Sequence, residues 1–196
     1  MDVSEAVKTR FTCRAFTEQP VSASLIKEIL DLAKQAPSGG NLQPWHIHAI
    51  RGEKLEQIVL DIDSQIADMP MGEKPEYDVY PQNLWDPYRS RRFKCGEDLY
   101  KSINIPREDK GARLSQLARN FRFFDAPVGL FIYIDRKMGP PQWSDVGMFL
   151  QTIMLIARER GLHTCAQEAW AMWHSTVKKH LSVDNNLMLF CGMGIG

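Results

Sequence analysis

Residues 128–135 read Val-Gly-Leu-Phe-Ile-Tyr-Ile-Asp, a near-continuous apolar run. A short run with no polar alternate face predicts a buried central strand. Residues 143–160 carry Met148, Phe149, Ile153, Met154, Ile156 and Ala157 nearly all round a helix, which predicts the core helix. Gly147 inside it costs about 1 kcal/mol against Ala, which close packing on another backbone or a ring would offset. Gly161 then serves as a terminator. A buried strand and a buried helix need a substantial core, and 196 residues with 44% hydrophobic content supply one within a single α/β or α+β domain. Around them the spacing predicts a helix ending near Ala36, a strand over residues 45–51 and a helix over 54–69. Further helices are predicted over 108–124 and 173–181, and a last strand over 187–193.

Residues 70–106 resist this reading. Pro70, Pro75, Pro81, Pro87 and Pro106 punctuate them, with Tyr77, Tyr80, Trp85, Tyr88 and Phe93 between. They are expected to form an irregular insertion, either a lid over a ligand or a surface excursion packed by its own aromatics.

The helix that stops at Pro37 runs into Ala36-Pro37-Ser38-Gly39-Gly40-Asn41-Leu42-Gln43-Pro44-Trp45. Two glycines let backbone approach a ligand or turn sharply. Ser38, Asn41 and Gln43 add hydroxyl and amide groups able to read a polar edge. Taken alone, the segment also fits an ordinary helix–loop–strand connection.

Near the N-terminus stands Thr9-Arg10-Phe11-Thr12-Cys13-Arg14-Ala15-Phe16, whose β-branched and aromatic content favours extended chain. There Arg10, Thr12 and Arg14 share one side, and Phe11, Cys13 and Ala15 the other. Two guanidiniums and a hydroxyl spread over roughly 13 Å, at ~3.3 Å per residue, suit a long anion with a charged end. A solvated basic edge strand is the alternative.

Several function classes fall away. Twenty-four basic residues balance twenty-four acidic ones, so no polyanionic partner or nucleic acid is expected. Cys13, Cys95, Cys165 and Cys191 form neither a disulfide framework nor zinc-site spacing. No signal peptide or membrane-length apolar run is visible, so a cytoplasmic protein with reduced thiols is expected. His46 and His48 share a strand face but have no third ligand tied to them by spacing, so no metal is expected. Cys165 has no basic partner that would make it a nucleophile. Gly192-Met193-Gly194-Ile195-Gly196 lacks the following helix that a nucleotide loop needs.

Taken together, Arg10-Phe11-Thr12-Cys13-Arg14 and the run from Pro37 to Trp45 resemble the flavin-dependent nitroreductase family. The family pattern is an Arg-x-Ser-x-Arg/Lys segment followed by a Pro-Ser-x-x-Asn-x-Gln-Pro-Trp loop, and Thr12 keeps the hydroxyl where Ser is usual. Asp145-Val146-Gly147 with Gln151 looks like the family's central helix. The segment Gly161-Leu162-His163-Thr164-Cys165 into Ala166-Gln167-Glu168-Ala169-Trp170 is similar to its flavin-facing loop.

The resemblance implies an α+β fold, with a mostly antiparallel sheet flanked by helices, in an intertwined homodimer holding FMN at the interface. It implies that Arg10 and Thr12 hold the phosphate or ribityl end and that Arg14 meets the pyrimidine end. Ser38, Gly39, Asn41 and Gln43 would contact the flavin from the partner subunit. Backbone around Gln167, Glu168 and Ala169 would meet N5, and Arg122 would reach the ring. Hydride would pass from NADH or NADPH to a nitroaromatic, quinone or similar flat acceptor in ping-pong fashion. Reductive dehalogenation or flavin destruction on the same fold, or a degenerate flavin-free binding protein, are the alternatives. Family members usually continue past the last strand with a tail that adds a cation to the phosphate. This sequence ends at Gly196, and each such bond is worth about 1.5–3 kcal/mol.

Overall fold

The computed structural model describes residues 1–196. Four strands, β1 (Trp45–Arg51), β2 (Val128–Asp135), β3 (Thr164–Gln167) and β4 (Leu187–Ile195), form one sheet in the order β1-β2-β4-β3. All its ladders are antiparallel. The seven helices are α1 (Val3–Thr9), α2 (Ala23–Ala33), α3 (Glu53–Gln65), α4 (Tyr88–Ser102), α5 (Lys110–Ala118), α6 (Pro140–Glu159) and α7 (His174–Leu181). The fold is α+β, as the resemblance implied.

β2 explains the layering. Val128, Leu130, Ile132 and Ile134 enter one core with Ile26 and Ile29 of α2 and Val146, Phe149 and Ile153 of α6. Phe131 and Tyr133, on the opposite face, enter a second core with Ile58 and Ile62 of α3, Phe121, Phe123, Trp170 and Trp173. Alternate residues of one strand serve two layers, so the run lacks the polar face of a half-exposed strand. Gly192 of β4 lies under the second core, where a Cβ would sit 2.3 Å from Trp170 Cδ1. Gly192 and Gly194 of the C-terminal run belong to a strand that continues to Ile195, past its expected end at residue 193.

Other boundaries also move. α6 begins at Pro140, because its two prolines occupy a first turn whose N–H groups have no helical partner. α3 ends at Gln65, four residues before the expected stop. Gly147 does not pack closely within the chain, since nothing lies within 4 Å of where a Cβ would be.

The helix expected over residues 108–124 is two structures, α5 and a 3-10 turn over Arg119–Asp125. Phe123, Phe124 and Asp125 are left-handed, with φ of 50°, 54° and 67°. Such backbone costs about 1–2 kcal/mol per residue. Burial offsets it: Phe123 and Phe124 are 0% and 1% exposed, and Phe123 stacks on Trp170 at 4.4 Å.

Inside the insertion read as irregular, Tyr88–Ser102 is helical. None of its residues is buried, so it shows no apolar stripe. Lys94 pairs with Asp98 one turn on at 2.5 Å, and Glu97 pairs with Arg113 of α5 at 2.6 Å. The start of the insertion is fastened to the head of α7, where the Glu73 carboxylate accepts from Ser175 N at 2.7 Å and Thr176 N at 3.0 Å. No helix is long and apolar enough to cross a membrane.

Candidate functional site

α1 delivers the N-terminal segment. Asp2 caps it by accepting from Glu5 N at 2.8 Å, and the helix ends at Arg10. Beyond it the chain touches the sheet once, through a parallel bridge between Thr12 and Thr164 and a 3.0 Å bond from Cys13 N–H to Thr164 O. One bridge is not a ladder, and the expected two-sided alternation holds only in part. Cys13 is buried, but Phe11 is 54% exposed and lies against the His163 ring at 4.6 Å.

The bridge sets Arg10, Thr12 and Arg14 beside β3 and the residues that follow it. Ala166 and Glu168 face outward along β3, while Cys165 and Gln167 face inward. Gln167 is 4% exposed; its Nε2 donates to Asn120 O at 2.8 Å, and its Oε1 has no partner in the chain. Partial desolvation of the Glu168 carboxyl by the surrounding protein nonetheless raises its pKa above the ordinary carboxylate range. Burial also pushes the Cys165 thiol up to about 11 against the opposing pull of the Arg14 charge, so a nucleophilic thiolate is disfavoured there.

Arg14 has company that the sequence reading did not assign. Its guanidinium lies 5.9 Å from the centre of the Phe124 ring, and that of Arg119 lies 5.8 Å from the same ring. The turn over Arg119–Asp125 thus places one aromatic ring against both guanidiniums, Arg119 also pairing with Asp125 at 2.8 Å, and through Asn120 it holds Gln167. Only a tertiary contact reveals this, because Arg119 matches no spacing with residues 10–14. Arg122, expected at the ring, points to α3 instead, pairing with Asp63 and lining a cleft with Glu18, Gly52 and Val59.

The second group of candidates sits elsewhere in the chain. Gly39–Asn41 form one 3-10 turn, and Gly40, Asn41 and Gln43 are left-handed at φ 58°, 55° and 48°. Gln43 N–H donates to Ser38 Oγ at 2.9 Å and closes the loop on itself. Gly39 N–H donates to both carboxylate oxygens of Asp145 on α6, 3.3 Å from each. Asn41, Leu42 and Gln43 stand exposed at the tip. Within the chain no hydrogen bond or ion pair joins this loop to Arg10, Thr12, Arg14 or Gln167. A groove of about 660 Å³ between α2 and β1 shares only Gln43 with the candidates, and is lined by Ile26, Leu30, Trp45, Ile47 and Phe149.

Six of the thirteen arginines, Arg89, Arg113, Arg119, Arg122, Arg136 and Arg160, pair with carboxylates and seven do not. Arg10 and Arg14 pair with none. Two guanidiniums without carboxylate partners and a threonine hydroxyl on one segment have the donors that an anion requires. The buried, unpartnered Gln167 Oε1 can accept one hydrogen bond more.

Residues 7–196 match the model of the nitroreductase family. A nitrobenzene nitroreductase of Ectopseudomonas oleovorans is 39% identical over 194 residues, covering 99% of this chain and 86% of that protein. A 4-nitrobenzoate reductase of Pseudomonas putida is 40% identical over 195 residues, covering 100% and 85%. Among solved structures, the FMN and NADPH-dependent nitroreductase NfnB of Sphigopyxis sp. strain HMH superposes with a TM-score of 0.97 at 46% identity, covering 100% of this chain and 88% of that one.

Proposed function

We propose that this chain, which belongs to the nitroreductase family, is an FMN-dependent oxidoreductase that moves hydride from NADH or NADPH to a nitroaromatic acceptor. The observation that carries this reading is the Thr12–Thr164 bridge. It sets Arg14, which no carboxylate neutralises, against the strand leading into Gln167, Glu168 and Ala169.

The residues fit an FMN. The phosphate needs a cation with free donors, which Arg10 has, the ribityl chain needs hydroxyl partners such as Thr12, and the pyrimidine end of the ring accepts from a guanidinium such as Arg14. Bound there, the flavin supplies two-electron chemistry by taking and giving hydride at N5. Arg10 and Thr12 would hold the phosphate and ribityl end. Arg14 would keep a fixed positive charge at the pyrimidine end, favouring the reduced flavin. Backbone groups of Gln167, Glu168 and Ala169 would line the N5 edge. Arg122, paired with Asp63, would reach the ring only by leaving that partner. Nicotinamide and acceptor would use the same site in turn, a ping-pong order.

The reading includes a homodimer in which Ser38, Gly39, Asn41 and Gln43 of one copy meet the flavin held by the other. Supporting this, the loop is not joined to the arginine row of its own chain. α1 and α6 also leave Val3 (73% exposed), Val7 (51%) and Met148 (40%) uncovered, beside the open Gly147. A cytoplasmic location accords with four free cysteines.

The test is to load purified protein with FMN, add NADH or NADPH without oxygen, and then add nitrobenzene or 4-nitrobenzoate. The flavin absorbance should bleach and then return in proportion to acceptor. Protein that retains no FMN, or reduced protein that neither acceptor re-oxidises faster than free reduced FMN, refutes the proposal.

A further inference from the structure

The Asp145 carboxylate is 5% exposed, makes no ion pair, and has Gly39 N–H as its single hydrogen-bond donor within the chain. A carboxylate can accept about four hydrogen bonds, and burying one with a single donor is costly. Such an arrangement persists where the bond holds something in place. What it holds is the loop of residues 38–43, whose other hydrogen bonds are internal: Asn41 N to Ser38 O, Leu42 N to Gly39 O and Gln43 N to Ser38 Oγ. The bond from Gly39 to Asp145 is thus the loop's one hydrogen bond to the body of the protein. It spans 106 positions of sequence. The loop also needs holding, since Asn41 and Gln43 are non-glycine residues in left-handed backbone, and such strain persists only where the surroundings impose it.

We propose that Asp145 is a positioning residue: it latches the 38–43 loop to α6 through Gly39 N–H, and by keeping the strained loop in one shape it sets the affinity for the flavin. This rests on the reading that the loop contacts FMN. The mechanism is a population effect. If only a fraction of molecules present the loop correctly, the apparent Kd rises by the inverse of that fraction. Asp145 touches no reacting atom and acts only through the backbone of Gly39.

Two variants and one measurement on unaltered protein test it. Asp145→Ala removes the acceptor and should raise the FMN Kd roughly tenfold to hundredfold, the range expected for losing a bond to a charged acceptor. Asp145→Asn keeps an oxygen facing Gly39 and should stay within about threefold of wild type. Hydrogen exchange on flavin-free protein should show Gly39 N–H protected in wild type. In Asp145→Ala, exchange should quicken over residues 38–43 while β2 and β4 stay protected, which a general loss of stability would not reproduce.

Unchanged FMN affinity in Asp145→Ala overturns the proposal, as does a loss in Asp145→Asn as large as that expected of Ala. If Asp145→Ala does not fold, the Asn variant and wild-type exchange decide. A wild-type protein that binds no FMN sinks the flavin reading instead. The latch is then judged by exchange alone, and a Gly39 amide exchanging as fast as that of Gly40 overturns it.

Discussion

Replacing Arg14 by alanine removes a cation that no acid in the chain neutralises. The loss to the fold is small: no ion pair breaks, and the contact with the Phe124 ring at 5.9 Å is worth about 0.5–1 kcal/mol. In a domain of this length about 1 kcal/mol lowers Tm by roughly 2–4 °C. The loss to ligand binding is larger. A charge-assisted hydrogen bond from the guanidinium is worth about 1.5–3 kcal/mol, which places the FMN Kd of Arg14→Ala roughly tenfold to hundredfold above wild type. The charge itself acts on the negative charge that develops on reduction, and so bears on the reduction rate rather than on the Kd of oxidised FMN. Titration of flavin fluorescence gives the Kd, and anaerobic stopped-flow bleaching with NADPH gives the reduction rate, which should fall as well. Arg14→Lys keeps the charge but not the planar fork, and should lie between the two. The removed charge also opposed the rise of the Cys165 pKa, so that thiol should alkylate still more slowly in the alanine variant. An FMN Kd within about twofold of wild type, with an unchanged bleaching rate, would falsify the placement of Arg14 at the flavin.

Three further outcomes are expected. Arg119→Ala and Arg122→Ala should each weaken FMN binding less than Arg14→Ala, since Arg119 is paired with Asp125 and Arg122 with Asp63 while Arg14 has no carboxylate; an equal or larger loss in the same titration contradicts the geometry. Partial desolvation raises the Glu168 pKa, so its neutral form is favoured in the folded state: its contribution to stability is full below the ordinary carboxylate range and is lost as pH rises through the raised value. Glu168→Gln should therefore melt level with wild type near about pH 4 and above it near about pH 7, and an equal difference at both would count against this. Gly192→Ala should cost about 1–3 kcal/mol by chemical denaturation, because its Cβ would meet the Trp170 indole; a neutral result would mean that the indole can shift freely.

Much of the scaffold was legible because its signals are local. The apolar run of β2, the spacing along α2 and α6, and the Gly161 terminator each depend on neighbours a few residues away. α4 was not legible, because its charged and aromatic residues form no buried stripe and its support comes from side-chain pairs. The break after α5 was not legible either. Phe121, Phe123 and Phe124 read as helical spacing, and only their burial beside the sheet and Trp170 makes a left-handed turn tolerable.

For the site, residue types and short motifs by themselves pointed to the proposed chemistry: an arginine–threonine–arginine row for an anion, and a glycine and amide loop for a polar edge. Such requirements are written into a few adjacent side chains. Tertiary structure alone decided which groups meet. It put Arg14 and Arg119 against one Phe124 ring, turned Arg122 toward Asp63, and set Asn120 on Gln167 and Asp145 under Gly39. These partners lie 47 to 106 positions apart where hydrogen bonds join them, and no local periodicity links residues at that separation. They come together because the sheet order β1-β2-β4-β3 and the two cores on either side of β2 leave their backbones no other place to go.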